Sequence, residues 1–389
     1  MARVTSEREW IEAARFDLTW FFAPAALSLL AFVSCLALGA PPLLWLWFWL
    51  ICFDGPHMLA TYSRAYGDRG MWRTRKPLLL GSWSAFAVGP TLLLLGSWFG
   101  APGIFTLFLA LMSVYSFHHV VRQHWGFASL YGARGKATRA VAKPASGNLR
   151  FWFYGVCWTP YVAFILTHPS LAKEVGASSS LRRAGQLAAL ALLGFWLLGL
   201  ARFARLLLRA WRQQAPLLQP AYLLLTALFH GFLFFLVARF EPLLRGAVGL
   251  DQEFVLLSVM NGMFHSAQYI GLVALFHRRS GRVPSTPSTW FANHPGRALS
   301  VLVPFVLVYL SVACATGVYP GCQVWVGQHF NHVRLNQLAL AIWWGFALHH
   351  YWLDERIWHV RSDPQLRAVF GLGSSAAGEV REHHLMPRV

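Results

Sequence analysis

Four short stretches place ionisable side chains inside segments that are otherwise apolar. They are FDGPHMLATYSR (53–64), YSFHHVVRQHWG (115–126), NGMFHSAQYIG (261–271) and FALHHYWLDERIW (346–358). Imidazoles with a few carboxylates and no thiolate pair suit iron, zinc or copper. By residue type the candidate metal ligands are Asp54, His57, His118, His119, His124, His265, His349, His350 and Asp354. These exceed the needs of a single zinc, which points to a multinuclear site with Asp54 or Asp354 as a terminal or bridging ligand. Arg122, Gln123, Tyr269 and Glu355 are the candidate catalytic side chains. Arg122 is a poor ligand but suits an anionic headgroup or a carboxylate. Gln268 and His230 are candidates for orienting the ligands from behind, although a lone His230 on an apolar helix also reads as a hydrogen-bonded core residue.

Spacing tests whether these groups converge. At about 100° per helical residue, His118, His119, Arg122 and Gln123 share an arc of about 140°. His349, His350 and Asp354 occupy a matching arc, so HHxxxQ and HHxxxD echo each other. Asp54 with His57, and His265 with Gln268, are i,i+3 pairs on one face. At 1.5 Å per residue, with Arg64 and Arg356 marking the membrane boundary, His57 and His349 lie about 10 Å inside. His118 and His119 fall at that level or shallower. His265 is expected deeper, about 18–20 Å from Arg278 on the same rise, and His230 deeper still.

Membrane-spanning helices must position these groups. The 389 residues are 56% hydrophobic and 12% charged, whereas soluble domains carry about a quarter charged residues. Apolar runs of roughly 18–22 residues recur throughout, each long enough to cross a bilayer. The fold class is therefore all-α, a polytopic helical bundle of about ten spans: 18–39, 43–63, 77–99, 103–124, 151–168, 184–206, 217–238, 253–277, 298–318 and 334–354. With this division only Lys173, Arg182, Arg183, Arg239, Arg245 and Arg334, of 33 Lys and Arg, fall on one side. The positive-inside rule then puts both termini in the cytoplasm. It also explains the net charge of +18 by basic loops, without nucleic acid as a partner. Residues 1–17 read as a cytoplasmic segment without a secretory signal, 18–360 as the bundle, and 361–389 as a cytoplasmic tail. The expected location is a bacterial-type inner (plasma) membrane, crossed many times.

The five cysteines form no CxxC pair and give no disulfide framework. Cys314 and Cys322 are near enough in sequence to pair, but buried free thiols are expected. His168, His294, His329 and His332, at span ends, and His383 and His384, in the tail, read as solvated. His277, before Arg278, reads as a membrane boundary.

HHVVRQH and HHYWLDERIWH, with DGPH and HSAQY, resemble the histidine-rich stretches of the integral-membrane polyhistidine oxygenases, the desaturases and hydroxylases. DGPHM also resembles a stretch of the bacterial membrane carotenoid-cleaving oxygenases. The resemblance covers about five short stretches and concerns the class of chemistry. It implies histidine-held iron, normally two ions, at the cytoplasmic face. It also implies dioxygen activation, a lipid or isoprenoid-like substrate and a separate electron-donor protein. The chain departs from those families by lacking their HxxxH and HxxHH boxes and by having more than four to six spans. Other expectations remain open: zinc in a membrane lipid hydrolase or transferase, a haem-binding cytochrome, or a proton- or metal-coupled transporter.

Overall fold

The computed structural model describes residues 9–137, 148–169, 172, 176–239, 252–280, 295–317, 329–330 and 333–372. Cys322, His294, His332, His383 and His384 lie outside the described residues, and the side chain of His329 lies outside with them. In chain order the long helices are α1 (Ala14–Leu38), α2 (Pro42–Ala65), α3 (Arg69–Trp98), α4 (Gly103–Ala137) and α5 (Leu149–Thr167). They continue with α6 (Ser179–Arg212), α7 (Leu218–Leu236), α8 (Gln252–Arg279), α9 (Pro295–Ala315) and α10 (Leu335–Ile357), followed by the short α11 (Pro364–Val369). A two-residue antiparallel pairing, His329–Phe330 with Val333–Arg334, precedes α10.

Among the described residues, α1 to α7 are long and apolar enough to cross a membrane. In a bilayer a helix satisfies its own backbone, so apolar runs of this length adopt that form. The apolar part of α9, Leu299–Ala315, is shorter, and α8 and α10 carry the polar stretches that lower their apolar character. The chain is an all-α membrane protein.

Helix ends follow local chemistry. Gly39, at φ 64°, closes α1, and Pro41 and Pro42 then open α2, in line with glycine after and proline before a helix. Asp68, Ser178 and Asp363 cap α3, α6 and α11 by accepting backbone N–H groups. α2 holds one π turn, Leu50–Asp54, directly before Gly55 and Pro56. A Cβ on Gly89 would sit 2.7 Å from the Ala341 carbonyl oxygen, and one on Gly345 would sit 3.1 Å from Phe86 Cα. These two glycines let α3 and α10 approach backbone to backbone, as small residues do between membrane helices.

Residues 9–17 and α11 pack against the bundle. Glu9, Trp10 and Ile11 are buried. Asp17 accepts from Ile11 N at 2.7 Å, Glu12 N at 3.1 Å and Tyr131 Oη at 3.0 Å. Glu12 pairs with Arg278 and Arg279, and Arg279 also donates to the Val369 carbonyl of α11. The packed bundle thus begins before residue 18 and continues past residue 361.

Cys314 is disulfide-bonded, while Cys35, Cys52 and Cys157 are free. The expectation of a free thiol at Cys314 is corrected: this cysteine is paired.

Candidate metal centre

Four helices, α2, α4, α8 and α10, form a closed ring of contacts in which α2 and α4 each touch both α8 and α10. Each contributes one imidazole to the middle. Neighbouring ring centroids are 4.3 Å apart for His57–His350, 4.9 Å for His350–His119, 5.0 Å for His119–His265 and 4.8 Å for His265–His57. The His265–His350 diagonal is 6.4 Å, close to that of a square with such sides. All four are buried.

The ring nitrogens converge more closely than the centroids. His350 Nε2 lies 2.8 Å from His57 Nε2 and 3.2 Å from His119 Nε2. Asp354 Oδ2 is 3.5 Å from His350 Nε2 and 3.9 Å from His119 Nε2. Ligand atoms held about 2.0–2.1 Å from one ion are themselves about 2.9–3.4 Å apart at right-angle to tetrahedral coordination. The donors group into two triads that share His350: His57 with His265, and His119 with Asp354.

One hydrogen-bond network fixes the orientation of His350 and Asp354. His350 Nδ1 is 2.6 Å from Thr61 Oγ1, and Thr61 donates to Asp354 Oδ1 at 3.3 Å. Tyr269 Oη donates to the same oxygen at 2.6 Å and accepts from Trp358 Nε1 at 3.1 Å. With His350 Nδ1–H donating to Thr61, every partner has a consistent role. The Nε2 lone pair and Oδ2 are then both left facing the cage. Such supports set the tautomer and basicity of metal-bound histidine. Thr61, Trp358 and Tyr222 escaped sequence reasoning. Thr61 carried a signal, since it stands at i+4 from His57 and therefore on its face.

The remaining predicted ligands are held elsewhere. Asp54 accepts a hydrogen bond from Tyr309 of α9. His118 is half-buried against Tyr154 and Trp158 of α5. His349 bonds through Nε2 to Tyr66 Oη at 2.8 Å and Ser82 Oγ at 3.0 Å, within a shell of Tyr66, Trp83 and Phe86. His124 Nδ1 lies 2.9 Å from Tyr222 Oη, and its ring packs 5.5 Å from His230, whose Nδ1 is bonded to the Thr226 carbonyl. Neighbours in a helix diverge by about 100°, so of each HH pair only the second member reaches the centre.

Four depth expectations change. His265 lies level with His57 and His119, because α8 continues to Arg279 beyond the layer taken as the boundary. Arg64 is buried, paired with Asp68 at 2.9 Å and lying over the Phe276 ring at 4.1 Å, so it marks no water boundary. His277 is buried beside it and bonded to Ser63 Oγ at 3.1 Å. His168, expected at an interface, is buried against Phe164.

A cavity of about 880 Å³ reaches the cage from one end of the bundle, with His119, Asp354 and Tyr269 among its lining. Arg122, Gln123 and Glu355 line it as well, so the four candidate catalytic side chains share one wall system. Arg122 Nη1 pairs with Glu355 Oε1 at 2.6 Å. Gln123 Nε2 donates to the His265 carbonyl at 2.9 Å, tying α4 to α8. Gln268 turns away from the cage, donating to Phe21 O at 2.9 Å and to Tyr222 Oη at 2.8 Å.

Compared with known proteins, the chain matches no protein-family model, no curated protein and no solved structure.

Proposed function

We propose that the protein is an integral-membrane, metal-dependent oxidoreductase of the oxygenase, hydroxylase or desaturase type, acting on a lipid-like substrate. The observation that carries this is the four-imidazole square with Asp354 at its edge, opening on a cavity. The donor set fits iron: nitrogen donors, one carboxylate oxygen and no thiolate. His119, His350 and Asp354 form a two-histidine, one-carboxylate set of the kind used by non-haem iron oxygenases. Among the described residues, His57 Nδ1 and His265 Nδ1 are buried without hydrogen-bond partners, so no bond there competes with a metal. Both triads draw on His350 Nε2, which can bind one ion, so the five donors surround a single ion-binding position at His350.

Bound iron would supply dioxygen activation, with electrons from a separate donor protein. The chain's own residues hold and shield the site. Thr61 and Tyr269 keep Asp354 turned toward the histidines. Trp358 holds Tyr269 in place, and the Arg122–Glu355 pair braces α4 against α10 one turn further along. Burial of the cage removes bulk water, which strengthens every charge interaction inside it. In the membrane we place ten spans with both termini cytoplasmic in a plasma membrane, so that the even-numbered helices carrying the cage all run in one direction.

A zinc hydrolase or transferase is the second reading. It is favoured by the His57, His265, His350 triad, since three histidines also make a catalytic zinc site. Elemental analysis with Mössbauer spectroscopy on anaerobically purified protein separates the two. Bound iron is expected, zinc alone moves the assignment to hydrolysis or transfer, and no bound transition metal refutes both.

A further inference from the structure

The cavity is asymmetric along its length. At its inner end stand His119, Asp354 and Tyr269; its lining also holds Arg150, at the start of α5, and Arg361 and Arg367, which follow α10. The wall includes Trp125, Phe127, Leu130, Leu149, Leu272 and Trp358. Lining residues on α4 run from His119 to Ala133, about 21 Å at 1.5 Å per residue. The volume, about 880 Å³, lies within the range of sites that enclose a small organic ligand.

The charges within this space are unequal. Glu355 is engaged by Arg122, and Asp354 Oδ1 accepts from Tyr269 and Thr61. The outer arginines stand on different segments: the start of α5, the turn after α10, and α11. Arg150 is exposed and lies over the Tyr154 ring, and Arg361 is exposed. Basic pockets between membrane helices near a membrane surface bind anionic headgroups, and guanidinium suits phosphate and carboxylate through paired N–H donors.

We propose that the substrate is an anionic amphiphile. Its phosphate or carboxylate sits among Arg150, Arg361 and Arg367, and its apolar chain runs along the aromatic wall toward His119 and Asp354. This deepens the oxidoreductase reading and rests on it for the term substrate; occupancy of the cavity is measured without turnover. A neutral isoprenoid would leave the arginine end unused, and a small inorganic anion would leave the aromatic wall unused.

The test is photolabelling of the full-length protein in zwitterionic nanodiscs, with mass-spectrometric mapping. The probes are an alkyl phosphate and an alkyl carboxylate carrying a chain diazirine, and the matched alkyl alcohol. Labels from both anionic probes are expected within 125–133 and 354–372, displaced by unlabelled alkyl phosphate and reduced about tenfold in R150Q/R361Q. R205Q, on exposed α6 surface, should label as wild type. Equal labelling by the alcohol, labels confined to lipid-facing helices, or an unaffected double variant would overturn the proposal. Displacement by inorganic phosphate at the same concentration as alkyl phosphate would also overturn it, by identifying a free anion as the ligand. Metal content is measured on the same samples. Labelling without metal sinks the oxidoreductase reading and leaves the amphiphile site standing, while metal without labelling does the reverse.

Discussion

His57 Nε2 and His350 Nε2 lie 2.8 Å apart, although 293 positions separate them in the chain. With Nδ1–H of His350 directed at Thr61, its Nε2 presents a lone pair to His57. A second lone pair at that distance repels, so the contact needs either a proton on His57 Nε2 or a cation shared by the rings. A metal centre is therefore expected to stabilise the bundle. At 100-fold excess over its dissociation constant a ligand adds about 2.7 kcal/mol. Adding ferrous iron to chelator-treated protein should raise the unfolding temperature, and an unchanged temperature would count against the cage as a metal site.

The two HH pairs give a paired test. His119→Ala and His350→Ala should lose metal, whereas His118→Ala and His349→Ala should retain it, because only the second member of each pair faces the centre. Metal-to-protein ratios measured after gel filtration decide this. Loss in all four variants, or in neither cage variant, would refute the assignment.

Thr61→Val keeps the shape of the side chain and removes the oxygen that His350 Nδ1 meets. Groups that orient a metal-bound histidine are worth about 10–100-fold in metal affinity. A competition titration with a calibrated chelator should show a loss of that order. Tyr269→Phe should act in the same direction through Asp354.

Asp54 separates ligand from structural acid. Tyr309→Phe leaves the buried Asp54 oxygen without its donor, at a cost of about 1–3 kcal/mol. A lowered unfolding temperature with unchanged metal content is expected. Metal loss in this variant would bring Asp54 into the site.

Gly345→Val tests the α3–α10 seam. Its new side chain meets the Phe86 backbone, and overpacking of this kind costs about 1–3 kcal/mol. Because α10 also carries His350 and Asp354, the variant should lose stability and metal affinity together. Gly81→Ala, where a Cβ meets nothing within 4 Å, serves as the control.

How much of this was legible in the sequence depends on which physical question was asked. Helix positions followed from apolar run length: each of α1 to α10 overlaps one expected segment, although α3 starts 8 residues early and α4 runs 13 residues further, and α1 to α7 are long and apolar enough to cross a membrane. His57, His119, His265, His350 and Asp354 were all among the candidate ligands by residue type. The sequence could not separate them from Asp54, His118, His124 and His349, because the partners that hold those four come from other helices. Tyr309, Tyr154, Tyr222 and Tyr66 each lie on a different segment. An arc of about 140° was also too wide a criterion. The pairs that converge, His350 with Asp354 and His57 with Thr61, are four residues apart, about 40° on a helix. Depth failed for a different reason: Arg64 served as a ruler for water, yet it is buried in the protein.

The π turn at Leu50–Asp54 makes α2 two helices in different phase. A π turn holds one residue more than the α-helical turn it replaces, the mark of a one-residue insertion. Asp54 and His57 both follow from the end of this turn and stand about 60° apart on the helix, so Asp54 meets α9 while His57 enters the cage. Excising one residue, Cys52 for instance, would restore a regular helix and turn the two halves by about 100° relative to each other. Either Trp49, before the turn, would leave Gly262 of α8, or Asp54 and His57 would together leave Tyr309 and the square. The length of α2 is therefore constrained to the single residue, while exposed Cys52 can change in identity without touching the site.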